Sequence, residues 1–238
     1  MTKIMDKKFA QNLVDKTRKD YNRIATHFSS TRSYNWPDVD EAIGGLGLKK
    51  GDRILDLGCG NGRLIKALEK YEIEYCGLDI SEELVKNARK NFPLEKFVVS
   101  NLLKTPFPKE SYDAVISIAT LHHLPSLNHK DAFVEMKRIL KPGGKLLISV
   151  WYFWNKPSFV SLIIEEALRK ITGRSGLGFG DFYKDWKDDK QKTVTKRYFH
   201  AWRKSEIKHL LKLAGFKNVE LSDNKEGKNN NLIAVAEK

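Results

Sequence analysis

The sequence predicts a single α/β domain with a mostly parallel, seven-stranded sheet, helices on both faces, and an antiparallel hairpin at its C-terminal end. Three observations point there. From Arg53 onward short β-rich runs alternate with helical stretches, a glycine-rich turn follows the first such run, and the last segment reads helix, strand, polar turn, strand. A chain of 238 residues with 41% hydrophobic content buries a full core in one such unit.

Residues 1–50 read as a helical cap over a ligand-binding core at 51–151. In that core "RILDL" is the first strand, a helix spans 63–70, "EYCGLDI" is the second strand, a helix spans 82–91, and "KFVVS" is the third strand. Ser81, followed by Glu82 and Glu83, has the chemistry of an N-cap with an acidic first turn. "YDAVISIA" forms the fourth strand, "KDAFVEMKRIL" a helix closed by Lys141-Pro142-Gly143-Gly144, and "KLLISVW" the fifth strand.

After Trp151 the rhythm changes. Within 152–203 a helix over 159–171 leads into a stretch at 173–195 whose glycines, charges and aromatics follow no regular period. That stretch reads either as a functional loop or lid or as a flexible surface insertion. Residues 204–238 give a helix over 205–214, the strand "FKNVELS", a polar turn at 224–230 and the strand "LIAVAE".

Forty-three Lys and Arg against 30 Asp and Glu leave a net charge of +13, which suits a polyanion such as RNA and equally serves solubility. The two cysteines, Cys59 and Cys76, build neither a disulfide framework nor a C-x-x-C metal site, and no metal ligand set is read from the sequence. No apolar run reaches the roughly 18–20 residues of a membrane span, and the N-terminus mixes charges through its apolar positions. The expectation is a cytoplasmic protein without a membrane partner.

Gly58, Gly60 and Gly62 in "DLGCGNG" let the backbone approach a ligand. The dinucleotide pattern G-x-G-x-x-G fails, because Arg63 occupies its third glycine, and Asp56 would face a pyrophosphate. Both departures suit a cationic ligand without phosphate. S-adenosylmethionine is one: Asp56 would serve its ammonium, the amides of Gly58, Cys59 and Gly60 its carboxylate, and Asp79 its ribose hydroxyls. Asp79 also fits a plain helix-capping role. Ile80, Asn101, Leu102 and Ile118, at or beyond strand ends, complete the candidate cofactor wall, and Tyr21 stacks on base or cofactor or else packs its helix.

The segments "ILDLGCGNG", "GLDIS" and "LKPGG", in that order, resemble the class I S-adenosylmethionine-dependent methyltransferases over about residues 50–150, which implies their Rossmann-like fold and cofactor. Family members often carry an Asp after the third strand to contact adenine; here the segment is Ser100-Asn101-Leu102, leaving that contact to Asn101. Outside the core, "YNRIATHFSSTRSYNWP", "SIATLHHL" and "KRYFHAWRKSEI" are similar to the tRNA methyltransferases that esterify 5-carboxymethyluridine at the wobble position.

That resemblance implies tRNA, read at its anticodon loop, as substrate, and a small zinc-binding activator protein as partner. A carboxylate is already ionised at neutral pH, so its O-methylation needs positioning and desolvation, with no strong base. Arg32 is the first choice to hold the acid, with His122, Arg197, Tyr198 and His200 completing the candidate set. Methylation at pyrimidine C5 would require a nucleophile, usually Cys, which neither cysteine is placed to supply. Each assignment has a rival: His122 and His123 also fit shaping the cofactor pocket, and Tyr198 to Trp202 also fit an aromatic edge packed on the sheet. Two other functions stay open, a small-molecule O- or N-methyltransferase and a non-catalytic RNA-binding protein of the same fold.

Overall fold

The computed structural model describes residues 5–32, 36–223 and 231–238, so the polar turn expected at 224–230 lies outside the described residues. Its chain begins with helix α1 (Lys7–Thr31), whose N-cap Asp6 accepts from the Phe9 amide at 2.7 Å, and continues with α2 (Pro37–Gly44). The core then runs β1 (Arg53–Leu57), α3 (Ile65–Leu68), β2 (Glu74–Asp79), α4 (Glu82–Asn91), β3 (Lys96–Val99), β4 (Tyr112–Ile118), α5 (His129–Ile139) and β5 (Leu140–Trp151). Ser81 caps α4 as its sequence indicates, its hydroxyl accepting from the Leu84 amide.

The main sheet has seven strands. Their order is β3-β2-β1-β4-β5-β9-β8, where β8 is Lys217–Asp223 and β9 is Asn231–Glu237. The first five are parallel, and β9 runs antiparallel to both β5 and β8, which is the expected C-terminal hairpin. Alternation along the strands sorts the core onto two faces. Leu55, Leu57, Val115, Leu146 and Ile148 pack with Phe133, Met136, Ile207 and Leu211 on one face; Ile54, Ala114, Ile116 and Leu147 pack with Ile43, Leu68 and Val85 on the other. Each of these side chains other than Ala114 contributes about 1.5–3 kcal/mol on burial.

Two local expectations shift. The helix over 63–70 shrinks to α3 followed by a 3₁₀ turn at Glu69–Tyr71, and β5 begins at Leu140, so Lys141-Pro142-Gly143-Gly144 belongs to a strand. The larger correction falls on 173–195. After α6 (Pro157–Ile171) the chain forms a second sheet, the antiparallel pair β6 (Asp181–Lys187) and β7 (Thr193–His200), and then α7 (Lys204–Leu213). A β-hairpin therefore replaces most of the irregular loop. Its exposed lysines and aspartates hide the period-two pattern that pairs Phe182 with Phe199 and Tyr183 with Tyr198.

Candidate active site

A cleft opens at the C-terminal ends of β1, β2 and β4, where an open parallel sheet leaves room for a ligand. The turn after β1 is held against β2: the amides of Gly58 and Cys59 both donate to the Leu78 carbonyl, at 2.6 and 3.0 Å, and the Gly60 amide donates to Asp79 Oδ2 at 2.9 Å. These three amides are therefore spent inside the protein. The expectation that they serve the carboxylate of a ligand is corrected; the cations that line the cleft are Arg32, Arg197 and Arg63, the last over the face of Trp36. Gly58 has a φ of +82° and a Cβ there would stand 2.2 Å from Thr120 Oγ1, so that position admits no side chain.

Two carboxylates line the cleft beside this turn. Asp79 accepts the Gly60 and Ser81 amides, one on each oxygen, and each oxygen keeps a lone pair for a diol. Asp56 is buried and accepts the Tyr75 hydroxyl at 2.9 Å; burial pushes its carboxyl up to about 7 against the pull of Tyr75 and Arg63, and Asp79 adds to the rise. A buried acid with so little compensation suits a cationic ligand. Acid, diol acceptor, glycine cradle and the flanking Ile80, Asn101, Leu102 and Ile118, all in the lining, fit the donor and acceptor set of S-adenosylmethionine. Asn101 caps its own turn through the Leu103 amide at 3.0 Å.

Helix α1 lies across the cleft, with Val14, Thr17, Tyr21 and Phe28 on its inner stripe. Tyr21 is the node of a polar chain. Nδ1 of His123 donates to the Tyr198 carbonyl at 2.9 Å, which leaves Nε2 as the acceptor for the Tyr21 hydroxyl at 2.6 Å, while that hydroxyl accepts from Arg197 at 2.9 Å. Burial and the Arg197 charge hold His123 down at about 3, so it is neutral in this chain.

The guanidinium of Arg197 is buried among three rings, its Cζ 4.5 Å from the centre of Trp186, 5.0 Å from Phe199 and 5.7 Å from Tyr21. No carboxylate pairs with it among the described residues, and its Nε finds no hydrogen-bond partner there. His122 is also buried: it stacks on Phe199 and Trp151, its Nδ1 accepts the Trp151 amide at 3.3 Å, and its Nε2 has no partner among the described residues. Burial, His123 and Arg197 push His122 well below the usual imidazole range, so Nε2 carries the remaining proton as an unused donor. Arg32 sits at the mouth with its guanidinium 5.8 Å from the Trp186 ring and one N–H on the Thr31 carbonyl.

Of the five residues expected to handle the substrate, the cleft thus gathers Arg32, His122 and Arg197. Tyr198 and His200 fall outside it. Alternation along β7 sends Arg197 and Phe199 toward the cleft and Tyr198 and His200 to the opposite face, where Tyr198 packs with Met5, Ala10 and Leu13 and His200 binds Asp181 and Glu206. His123 lines the cleft, as its pocket-shaping alternative expects; Trp186, Trp151 and Thr120 also line it, and none of these three had been singled out. Trp186 lay within the stretch at 173–195 read as irregular, and Thr120 carried no signal. Ala119 beside it has a φ of +55°, a strained turn of the kind found at ligand clamps.

A family model described as a methyltransferase domain matches residues 55–148. A tRNA (carboxymethyluridine(34)-5-O)-methyltransferase of Schizosaccharomyces pombe is 32% identical over 217 residues, covering 82% of this chain and 86% of that protein. One of the same name from Arabidopsis thaliana is 41% identical over 132 residues, covering 55% of this chain and 31% of that protein, so the chain spans about a third of that relative's length. Among solved structures, a methyltransferase of Haloferax volcanii in complex with the Trm112 activator superposes with a TM-score of 0.67 at 21% identity, covering 93% of this chain and 96% of that one. At that identity the likeness speaks for the fold alone.

Proposed function

The chain belongs to the S-adenosylmethionine-dependent methyltransferase family that includes the fission-yeast tRNA (carboxymethyluridine(34)-5-O)-methyltransferase, and from that premise we propose that it methylates the carboxylate of 5-carboxymethyluridine in tRNA. Asp56, Asp79 and the glycine turn hold the cofactor. The chemistry that S-adenosylmethionine supplies when bound is an electrophilic methyl group on a sulfonium.

The observation that carries the acceptor is Arg197. An unpaired buried charge costs several kcal/mol, and the ring contacts return about 0.5–2 kcal/mol each, so the site favours an anion strongly. A substrate carboxylate meets the free Nε of Arg197 and the Nε2–H of His122, in charge-assisted bonds of about 1.5–3 kcal/mol. The acid arrives ionised, so His122 orients it through Nε2–H while His123 fixes Tyr21, and neither imidazole, both held neutral, takes up a proton. The Tyr21 hydroxyl, fixed by His123, holds Arg197 in place. Arg32 then serves at the mouth rather than as the main carboxylate clamp.

A splayed wobble base reaches such a cleft at modest unstacking cost, and the net charge of +13 holds the stem phosphates. We place the enzyme with the cytoplasmic tRNA pool; no helix among the described residues is long and apolar enough to cross a membrane. A small activator subunit, of the kind bound to the Haloferax methyltransferase, is the partner we propose. The test is to incubate chain, activator and methyl-labelled S-adenosylmethionine with tRNA bearing 5-carboxymethyluridine and to analyse its nucleosides by mass spectrometry. The methyl ester is the expected product. Label appearing only in small carboxylic acids would reassign the enzyme to small-molecule methylation, and tight cofactor binding without turnover on either pool would leave it an RNA-binding protein.

A further inference from the structure

Behind β7, on the face away from the cleft, His129 of α5, His200 of β7 and Glu206 of α7 converge, with one ligand atom from each within 4.8 Å of the others. Both imidazoles are nearly inaccessible to solvent, and Trp202 stacks on His129 at 4.0 Å. Each is fixed from behind. Nδ1 of His200 donates to Asp181 Oδ1 at 2.6 Å, and Asp181 is itself anchored by the Gly178 amide; Nε2 of His129 donates to the Leu124 carbonyl at 2.9 Å. The other nitrogen of each ring faces the Glu206 carboxylate.

That arrangement is the outer shell of a metal site, in which a histidine gives its second N–H to a carboxylate or carbonyl and presents its lone pair inward. The separations also match. Nε2 of His200 stands 3.1 Å from Glu206 Oε1, and Nδ1 of His129 stands 3.5 Å from the same oxygen. Zinc bonds of about 2.0–2.1 Å in a tetrahedron place neighbouring ligand atoms about 3.3 Å apart. Nδ1 of His129 makes no hydrogen bond to any described residue, so two acceptor atoms face each other across the gap. Charge points the same way: the Asp181 and Glu206 carboxylates lie on either side of His200, and a divalent cation matches their two negative charges.

We propose that His129, His200 and Glu206 bind one divalent cation of the zinc class, beside a groove that Glu206 shares with Trp154, Phe179, Arg203 and Ser205. The ion ties α5 and α7 to the β6–β7 hairpin that carries Arg197 on its other face. The donor set of two nitrogens and one carboxylate oxygen suits zinc, and Cys59 and Cys76, both buried in the sheet core, compete for none of it.

The test uses the tag-free chain. Stripped of metal and titrated with Zn2+, it binds one equivalent and its Tm rises; with Co2+ it gives the intense visible bands of a tetrahedral ion without thiolate charge transfer. Asp181→Asn, which removes only the outer shell, weakens the metal by about 10–100-fold, and His129→Gln or Glu206→Gln weakens it further. The Co2+ spectrum decides the matter even should a variant fail to fold. Failure to bind Zn2+ with no shift in Tm, a weak octahedral Co2+ spectrum, or full retention of metal by a folded His129→Gln overturns the proposal; His200 would then be an imidazolium clamped between Asp181 and Glu206.

Discussion

Arg197 and Asp56 face the same cleft with opposite signs, and each is buried with less compensation than its charge requires. Replacing Arg197 by Gln is expected to lower turnover on the acid by about 10–150-fold, equivalent to about 1.5–3 kcal/mol, while cofactor affinity stays within about twofold; initial rates and calorimetry check the two arms. At Asp56 the linkage follows from a carboxyl raised from 3.8 to about 7: the folded chain binds this proton more tightly than the unfolded one, so the group's contribution to stability falls as pH rises between those values. Binding a cationic ligand there expels the proton. Affinity for S-adenosylmethionine is therefore expected to rise with pH, by up to about tenfold per unit below pH ~7, and to level off above, with proton release visible as a buffer-dependent heat. A flat profile from pH ~5.5 to ~8 would remove Asp56 from the ammonium site. Gly58→Ala should abolish cofactor binding, since its methyl collides with Thr120 and its backbone is left-handed. Asp56, Gly58 and Asp79 were placed at the cleft by their spacing; Thr120 was not, because its contact with Gly58 joins chain segments far apart in sequence.

At the scale of elements, the β6–β7 hairpin separates what a linear reading merges. "KRYFH" looks like one basic and aromatic patch, yet its strand conformation gives Arg197 to the cleft, with Phe199 packed beneath it, and Tyr198 and His200 to the far side. With the hairpin at 181–200 unrecognised, there was no strand on which to make that division. The hairpin also supplies Trp186, which lies under Arg197 and within reach of Arg32. Trp186→Ala is expected to lower kcat/KM for the RNA by about 2–30-fold, the loss of about 0.5–2 kcal/mol of cation–π contact, and to leave S-adenosylmethionine binding unchanged. An equal loss of cofactor affinity, seen by calorimetry, would show that the hairpin supports the cofactor instead. Helix α1 behaved more simply: its stripe at Val14, Thr17, Tyr21 and Phe28 follows the helical period and was expected as a cap.

For the whole molecule, the parallel core, its strand succession and the closing antiparallel hairpin were legible because each element bears its own period and punctuation, as at Ser81 and in the turn at Gly58 to Gly62. The proposed acceptor came from resemblance alone, since composition gives a charge of +13 and no shape. Affinity for tRNA is expected to fall steeply with salt, log K against log[salt] having a slope of about −0.7 to −0.9 per phosphate neutralised, while binding of the small zwitterionic cofactor hardly changes. Filter binding over a salt series checks this. The central claim concerns charge at the acceptor, and the most direct measurement compares two anticodon stem-loops identical except at the wobble uridine, one bearing the 5-carboxymethyl acid and the other its uncharged amide. Labelled methyl transferred to the acid, as an alkali-labile ester, and absent from the amide is the expected result; equal labelling of both, or label on the amide alone, would contradict the assignment of Arg197 and His122 to a carboxylate.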